Sequence, residues 1–150
     1  MSKTRKTHSR KHHKKHNKTK NSINNVTKSH IVKVFLELLN MVKLYHWKTT
    51  SFAQHKATDE LYSKLNGHID TFVEVLLGKD GTRIHMLERN IELLDSSNGV
   101  EFKQRIYEYR DFLQSMNMYF DSSRDSDLLN IRDELLGDIN QFLYLLTFDK

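Results

Sequence analysis

The chain has 150 residues and a formal net charge of +5, with five Gly, no Pro and no Cys. That length suits one domain with a real core. The missing Pro and Cys argue against turn-rich all-β folds and exclude disulfide frameworks, thiol catalysis and Cys-ligated metal sites. No apolar run reaches the length of a membrane span, and the basic N-terminus lacks a signal-peptide core, so an intracellular protein is expected: cytoplasm or nucleoid, or nucleus or virion if the source is eukaryotic or viral.

The charge is divided. Residues 1–29 hold ten Lys and Arg and no acid, whereas the remainder holds 14 basic against 19 acidic residues. Residues 1–28 are therefore expected to form a disordered cationic arm, with too little apolar surface to offset the entropy of ordering. Lys3, Arg5, Lys6, Arg10, Lys11, Lys14, Lys15, Lys18 and Lys20 suit a nucleic-acid phosphate backbone, with affinity that is blind to sequence and steeply salt-dependent. A localisation signal is the alternative use of such a run. His8, His12, His13 and His16 add pH-dependent charge to it.

From Ser29 the pattern turns helical. Ser29 is the expected N-cap of a first helix to about Thr49, with Val32, Phe35, Leu39, Val42 and His46 on one face. Thr49, Thr50 and Ser51 break it. A second helix runs from about Gln54 to Leu77, with Gly78 as its C-cap. Residues 82–95, with Ile84, Leu87, Ile91 and Leu94, read as a short amphipathic helix. After a loop at 95–99, a third helix (about 100–120) carries Phe102, Ile106, Tyr109, Leu113, Met116 and Phe120. A fourth (about 126–147) carries Leu128, Ile131, Leu135, Ile139, Phe142 and Leu146. Residues 29–150 thus read as an all-α four-helix bundle with a short extra helix between the second and third.

The second helix carries His55, Asp59, Asp70 and Glu74. With His55 at zero and about 100° per residue, these fall at about 0–100°, while Leu61, Leu65, Phe72 and Leu76 fall at about 240–300°. A charged stripe beside an apolar face is ordinarily solvated surface. As ligands, however, the four meet a distance constraint. His55 and Asp70 are about 22 Å apart along a helix, so one chain cannot bring them to one ion. Two copies crossing antiparallel about a two-fold axis near Leu65 and Asn66, beside Gly67, would pair His55 and Asp59 of one with Asp70 and Glu74 of the other. Imidazole and carboxylates suit iron, manganese or zinc. His46 is a further candidate at the end of the first helix.

These residues form a recognisable set. Tyr45-His46-Trp47, His55-x-x-x-Asp59-Glu60-Leu61-Tyr62 and His68-Ile69-Asp70-x-x-x-Glu74 resemble the signature of Dps proteins, the mini-ferritins. That signature has a His-Trp pair ending the first helix, then His-x-x-x-Asp-Glu, then a second Asp followed by x-x-x-Glu. Asp125-Ser126-Asp127-Leu128-Leu129 is loosely similar to a stretch of the family's fourth helix, and in layout the resemblance spans about residues 30–147. Small Dps-like proteins with this Lys- and Asn-rich composition also occur in large DNA viruses.

The resemblance implies a ferritin-like bundle and a dodecameric shell built from two-fold dimers. It implies a di-iron ferroxidase site at each dimer interface, with His46, His55 and Asp59 from one subunit and Asp70 and Glu74 from the other. Fe(II) would be oxidised there by peroxide or dioxygen and stored, protecting against oxidative stress, while the basic arm binds DNA. His46 and His55 are nine positions apart, closer than in the family, and a shorter loop would displace His46. The Glu-x-x-His pattern of ordinary ferritins is absent: Glu101, Glu108, Asp133, Glu134 and Asp138 have no such His partner in sequence. The competing readings are a nucleic-acid-condensing or packaging protein on the same fold with a degenerate metal site, and a plain helical interaction module whose stripe only shapes a dimer.

Overall fold

The computed structural model describes residues 23–148, among which there are four α-helices and no strand. Their ends follow local capping chemistry. Asn24 is extended and its side chain accepts from the Thr27 N–H, so α1 runs Asn25–Lys48, starting earlier than expected. Ser29 is not the N-cap. It is buried within α1, and its hydroxyl accepts the Leu87 N–H at 3.0 Å. Ser51 caps α2 (Phe52–Asp80), and the left-handed residue that ends it is Gly81, φ 67°, rather than Gly78. Gly78 has ordinary helical surroundings, so the helix runs through it.

Asn98 accepts from the Val100 and Glu101 N–H groups and starts α3, Gly99–Ser115. The Ser97 hydroxyl and N–H, then Arg105, hold the Glu101 carboxyl down to about 2. The third helix tightens into a 3-10 turn at Met116–Met118 instead of continuing to 120. The fourth, α4, covers Ser126–Leu145 and ends in a second such turn, Leu146–Phe148.

Contacts at both ends of the bundle set the directions. Tyr45 stacks on Phe102 at 3.9 Å, and Phe35 meets Phe112 edge-on at 6.4 Å, so α3 runs opposite to α1 and therefore along α2. Lys79 bonds Asp127, and Lys64 bonds Gln141, so α4 runs opposite to α2. Most of the expected core is buried; Val32, Ile131 and Leu146 are only half-buried, and Ile31, Leu38 and Met41 fill the α1 face instead. Phe35, Phe72 and Phe102 are fully buried with Leu65, Ile106, Leu113, Leu135 and Ile139. Edge-to-face pairs Phe35–Phe72 and Phe72–Phe120 tie α1, α2 and the bend after the 3-10 turn together, each worth about 1 kcal/mol beyond its buried area. Gly99 lies where Tyr45 closes in: a Cβ there would stand 2.9 Å from the Tyr45 hydroxyl. No helix among the described residues is long and apolar enough to cross a membrane.

The helix expected at 82–95 does not form. This segment is an extended crossover lying along α1 and running the same way. Asn25 donates to the His85 carbonyl, Lys33 pairs with Glu88, Glu37 accepts the Glu92 N–H, and Lys48 donates to the Ser96 carbonyl. The span explains the conformation. The 24 residues of α1 cover about 35 Å at about 1.5 Å per residue. The stretch from His85 to Ser96 covers about 36 Å at about 3.3 Å per residue. A helix over 82–95 would reach only about 20 Å. Three of the four residues whose spacing suggested it, Ile84, Leu87 and Ile91, are exposed; Leu94 alone packs against the core.

Lys28, counted with the basic arm from sequence, belongs to the fold. It is buried in the first turn of α1 and pairs with Asp80 at the end of α2, where Thr82 also bonds the carboxylate. The other basic arm residues lie outside the described residues. Burial alone would push the Asp80 carboxyl up, but the Lys28 ammonium and the Thr82 hydroxyl and N–H outweigh it and hold the group below its ordinary value. A carboxylate with a depressed folded-state value stabilises the fold above its unfolded value and loses that contribution as pH falls through the folded one. Lys28→Met is therefore expected to cost about 3 kcal/mol at neutral pH, by leaving a buried carboxylate without its cation. The variant should also lose less stability than wild type on acidification from about pH 5 to about pH 2. Thermal unfolding at both pH values checks this; equal acid sensitivity would show that the pair does not couple to folding.

Candidate functional site

The turn between α1 and α2 is tight, and it locks two imidazoles together. His46, in the last turn of α1, is buried; His55, in the first turn of α2, is exposed. The His46 Nδ1 donates to the His55 carbonyl at 3.0 Å, and the His55 Nδ1 donates to the His46 carbonyl, also at 3.0 Å. The rings stack with centroids 4.0 Å apart. The buried Thr58 hydroxyl lies 3.3 Å from His46 Nδ1 while donating to the Gln54 carbonyl at 2.7 Å. A carbonyl can only accept, so Nδ1 carries the hydrogen in both rings and Nε2 of each neutral imidazole keeps its lone pair. A main-chain carbonyl fixing the tautomer of an imidazole is how histidines are prepared to ligate through the other nitrogen.

Asp59 lies one turn beyond His55. Its Oδ1 is 3.9 Å from His46 Nε2, a separation within the reach of two metal–donor bonds of about 2.0–2.2 Å. The Asp59 side chain is 62 % exposed, so it keeps free acceptor capacity. On its far side a cavity of about 640 Å³ opens between the first turns of α2 and Leu145, Leu146 and Phe148, with Asp59 and Glu60 on its wall. The corner therefore offers one or two imidazole nitrogens and a carboxylate. Such a donor set suits a divalent transition metal.

The short turn does not carry His46 away from His55 and Asp59. The structure stacks His46 on His55 and places Asp59 Oδ1 near His46 Nε2. Asp70 and Glu74 lie on the same exposed side of α2, three to five turns further on. Accordingly, among the described residues of one chain, no three His, Asp or Glu side chains gather closely enough to hold a metal ion.

Lys43 was not singled out from sequence. Its ammonium is 4.0 Å from Asp59 Oδ1 and 4.5 Å above the Tyr62 ring. Its position one turn before His46 was the available signal. Thr58 was also missed, because a Thr inside a helix looks like any other. His68 falls inside the quoted motif, but its Nδ1 bonds Asp138 of α4 at 2.7 Å. Asp138 thus does have a His partner, on another helix, where spacing within α4 could not reveal it.

The nine arm cations Lys3 to Lys20 lie outside the described residues, so their contacts do not enter this geometry. No curated protein and no solved structure matches the chain. A family of unknown function, DUF5856, matches residues 46–146, from the first site histidine to the end of α4, and the chain belongs to that family.

Proposed function

We propose that this protein is a Dps-like mini-ferritin subunit that binds and oxidises Fe(II) at a site shared between two copies, and binds nucleic acid through its basic arm. The observation that carries the reading is the α1–α2 corner. Both Nδ1 atoms are spent on main-chain carbonyls, so a neutral His46 imidazole turns its Nε2 lone pair toward Asp59 Oδ1, 3.9 Å away. Two acceptors held that close are best satisfied by a cation.

Three further features support it. The long crossover between parallel α2 and α3 is the connectivity expected of ferritin-like bundles. Asp70 and Glu74 are exposed on the side of α2 that carries Asp59, where a second copy would supply what one chain lacks. Gly67, midway between the two halves of that stripe, is also exposed, and a Cβ there would meet nothing within 4 Å. Nothing inside the protomer needs that glycine, which otherwise costs about 1 kcal/mol against Ala in a helix. A close α2–α2 crossing would.

In this reading the chain's own groups have distinct tasks. His46 and His55 present fixed lone pairs, Asp59 and the partner copy's carboxylates neutralise the metal charge, and the iron, as substrate, is oxidised by peroxide or dioxygen and stored. Manganese or zinc would fit the same donors. A closed dodecamer follows from the resemblance only. The second reading, a nucleic-acid-condensing protein without iron chemistry, draws on the separation of charge between arm and body.

Solution mass measured together with Fe(II) oxidation tests the proposal. A multiple of two subunits with oxidation well above the buffer rate is expected. A monomer at micromolar concentration overturns the shared site. A closed oligomer that oxidises iron no faster than buffer selects the condensing protein.

A further inference from the structure

The Asp59 carboxylate already has a cation beside it. Lys43 Nζ is 4.0 Å from Asp59 Oδ1, the same oxygen that faces His46 Nε2 at 3.9 Å. Lys43 sits one turn before His46, so α1 delivers both to one place. Its ammonium also lies 4.5 Å over the Tyr62 ring and 5.8 Å from the Trp47 ring. Those two aromatic faces are a ready seat for a lysine cation that leaves a carboxylate.

We propose that Lys43 is a resident cation that a divalent metal must displace from Asp59, and that it thereby sets how readily this site loads. The inference rests on reading the corner as a metal centre. The physical argument is competition between charges. An ammonium about 4 Å from the carboxylate occupies its field, and once a dication arrives the two cations repel within a few ångströms, where salt screens them little. The aromatic faces lower the cost of displacement, since the ammonium moves onto Tyr62 without crossing to bulk water. Lysine suits this role better than arginine, because its single compact charge on a flexible stem is not tied to the carboxylate by two parallel bonds.

The test is Co(II) binding, followed by calorimetry and by the visible spectrum of the bound ion, on the full-length chain and the variants Lys43→Met, Lys43→Arg and Asp59→Ala. Lys43→Met keeps the stem and removes the charge, and should bind Co(II) about tenfold more tightly than wild type. Lys43→Arg should bind no more tightly than wild type, and Asp59→Ala should bind far more weakly than either. Equal affinity in wild type and Lys43→Met, with binding lost in Asp59→Ala, overturns the role of Lys43 and leaves the metal centre standing. Weaker binding in Lys43→Met also overturns it, by showing that the lysine holds the ligands in place. If Lys43→Met does not fold, Lys43→Gln takes its place; if neither keeps its helical content, Lys43 is structural and the proposal fails. Absence of Co(II) binding in wild type and Lys43→Met alike removes the metal centre itself, and the proposal with it.

Discussion

Replacing either Asp59 or Glu74 by Ala is expected to abolish rapid Fe(II) oxidation while leaving thermal stability within about 0.5 kcal/mol of wild type. Both side chains are exposed, and neither supports the core. Among the described residues, Asp59 pairs with His46 and Lys43, each at about 4 Å. The more telling result comes from mixing. If each site takes Asp59 from one chain and Glu74 from the other, a dimer of one Asp59→Ala chain and one Glu74→Ala chain contains one intact site and one doubly damaged site. Co-refolding two inactive variants in equal amounts should restore about a quarter of the wild-type rate, since half of the dimers are mixed and each has half of its sites. A site built within one chain cannot be restored this way. Stopped-flow absorbance of ferric product on the separate and mixed variants checks it, and a mixture as inactive as its components would rule out sharing.

Deleting residues 1–22 is expected to abolish duplex DNA binding at physiological salt while leaving assembly and iron oxidation intact. The deletion removes Lys3, Arg5, Lys6, Arg10, Lys11, Lys14, Lys15, Lys18 and Lys20, and the remaining chain carries 15 basic against 19 acidic residues. Lys28 is not part of what must be cut, since it holds Asp80 in the bundle; removing it as well would mix a folding defect into the result. For the intact chain, log affinity should fall with log salt at about −0.9 per phosphate neutralised, equally on unrelated sequences. Several arms on one assembly would raise the apparent affinity without new contacts. Gel shifts at two salt concentrations measure both. Binding retained by the truncated chain would reveal a basic face on the body, and no binding by the intact chain would leave the arm as a localisation signal.

The bundle was legible from sequence where one face of a helix is buried. Phe35, Leu65, Phe72, Phe102, Ile106, Leu135 and Ile139 fall at helical spacing because each returns to the same core. The same reading failed at 82–95, where Ile84, Leu87 and Ile91 have helical spacing without a common buried face. Spacing reports a helix only when burial enforces it. What holds this segment extended is polar and distant in sequence: Ser29, Lys33 and Glu37 on α1. Caps failed for a related reason. Ser29 and Gly78 have the right residue types, but Asn24 and Gly81 have the right backbone. At the site, ligand-type residues on one stripe were visible, whereas Lys43 and Thr58 act through neighbours across a turn that only folding brings near.

The taut crossover makes the molecule intolerant of length change in a place where irregular segments usually tolerate it. A largely extended run of residues 85–96, with one bend at Leu87, reaches along the length of α1 and has little slack to give. Losing one residue between His85 and Ser96 shortens its reach by about 3.3 Å, so one of the bonds to Asn25, Ser29, Glu37 or Lys48 has to break. Gaining one forces a bulge away from α1. Insertions and deletions should therefore avoid this stretch and fall instead at the Asp121–Asp125 bend, which joins two helices without spanning the bundle. The segment with the least secondary structure is in this sense the chain's fixed ruler.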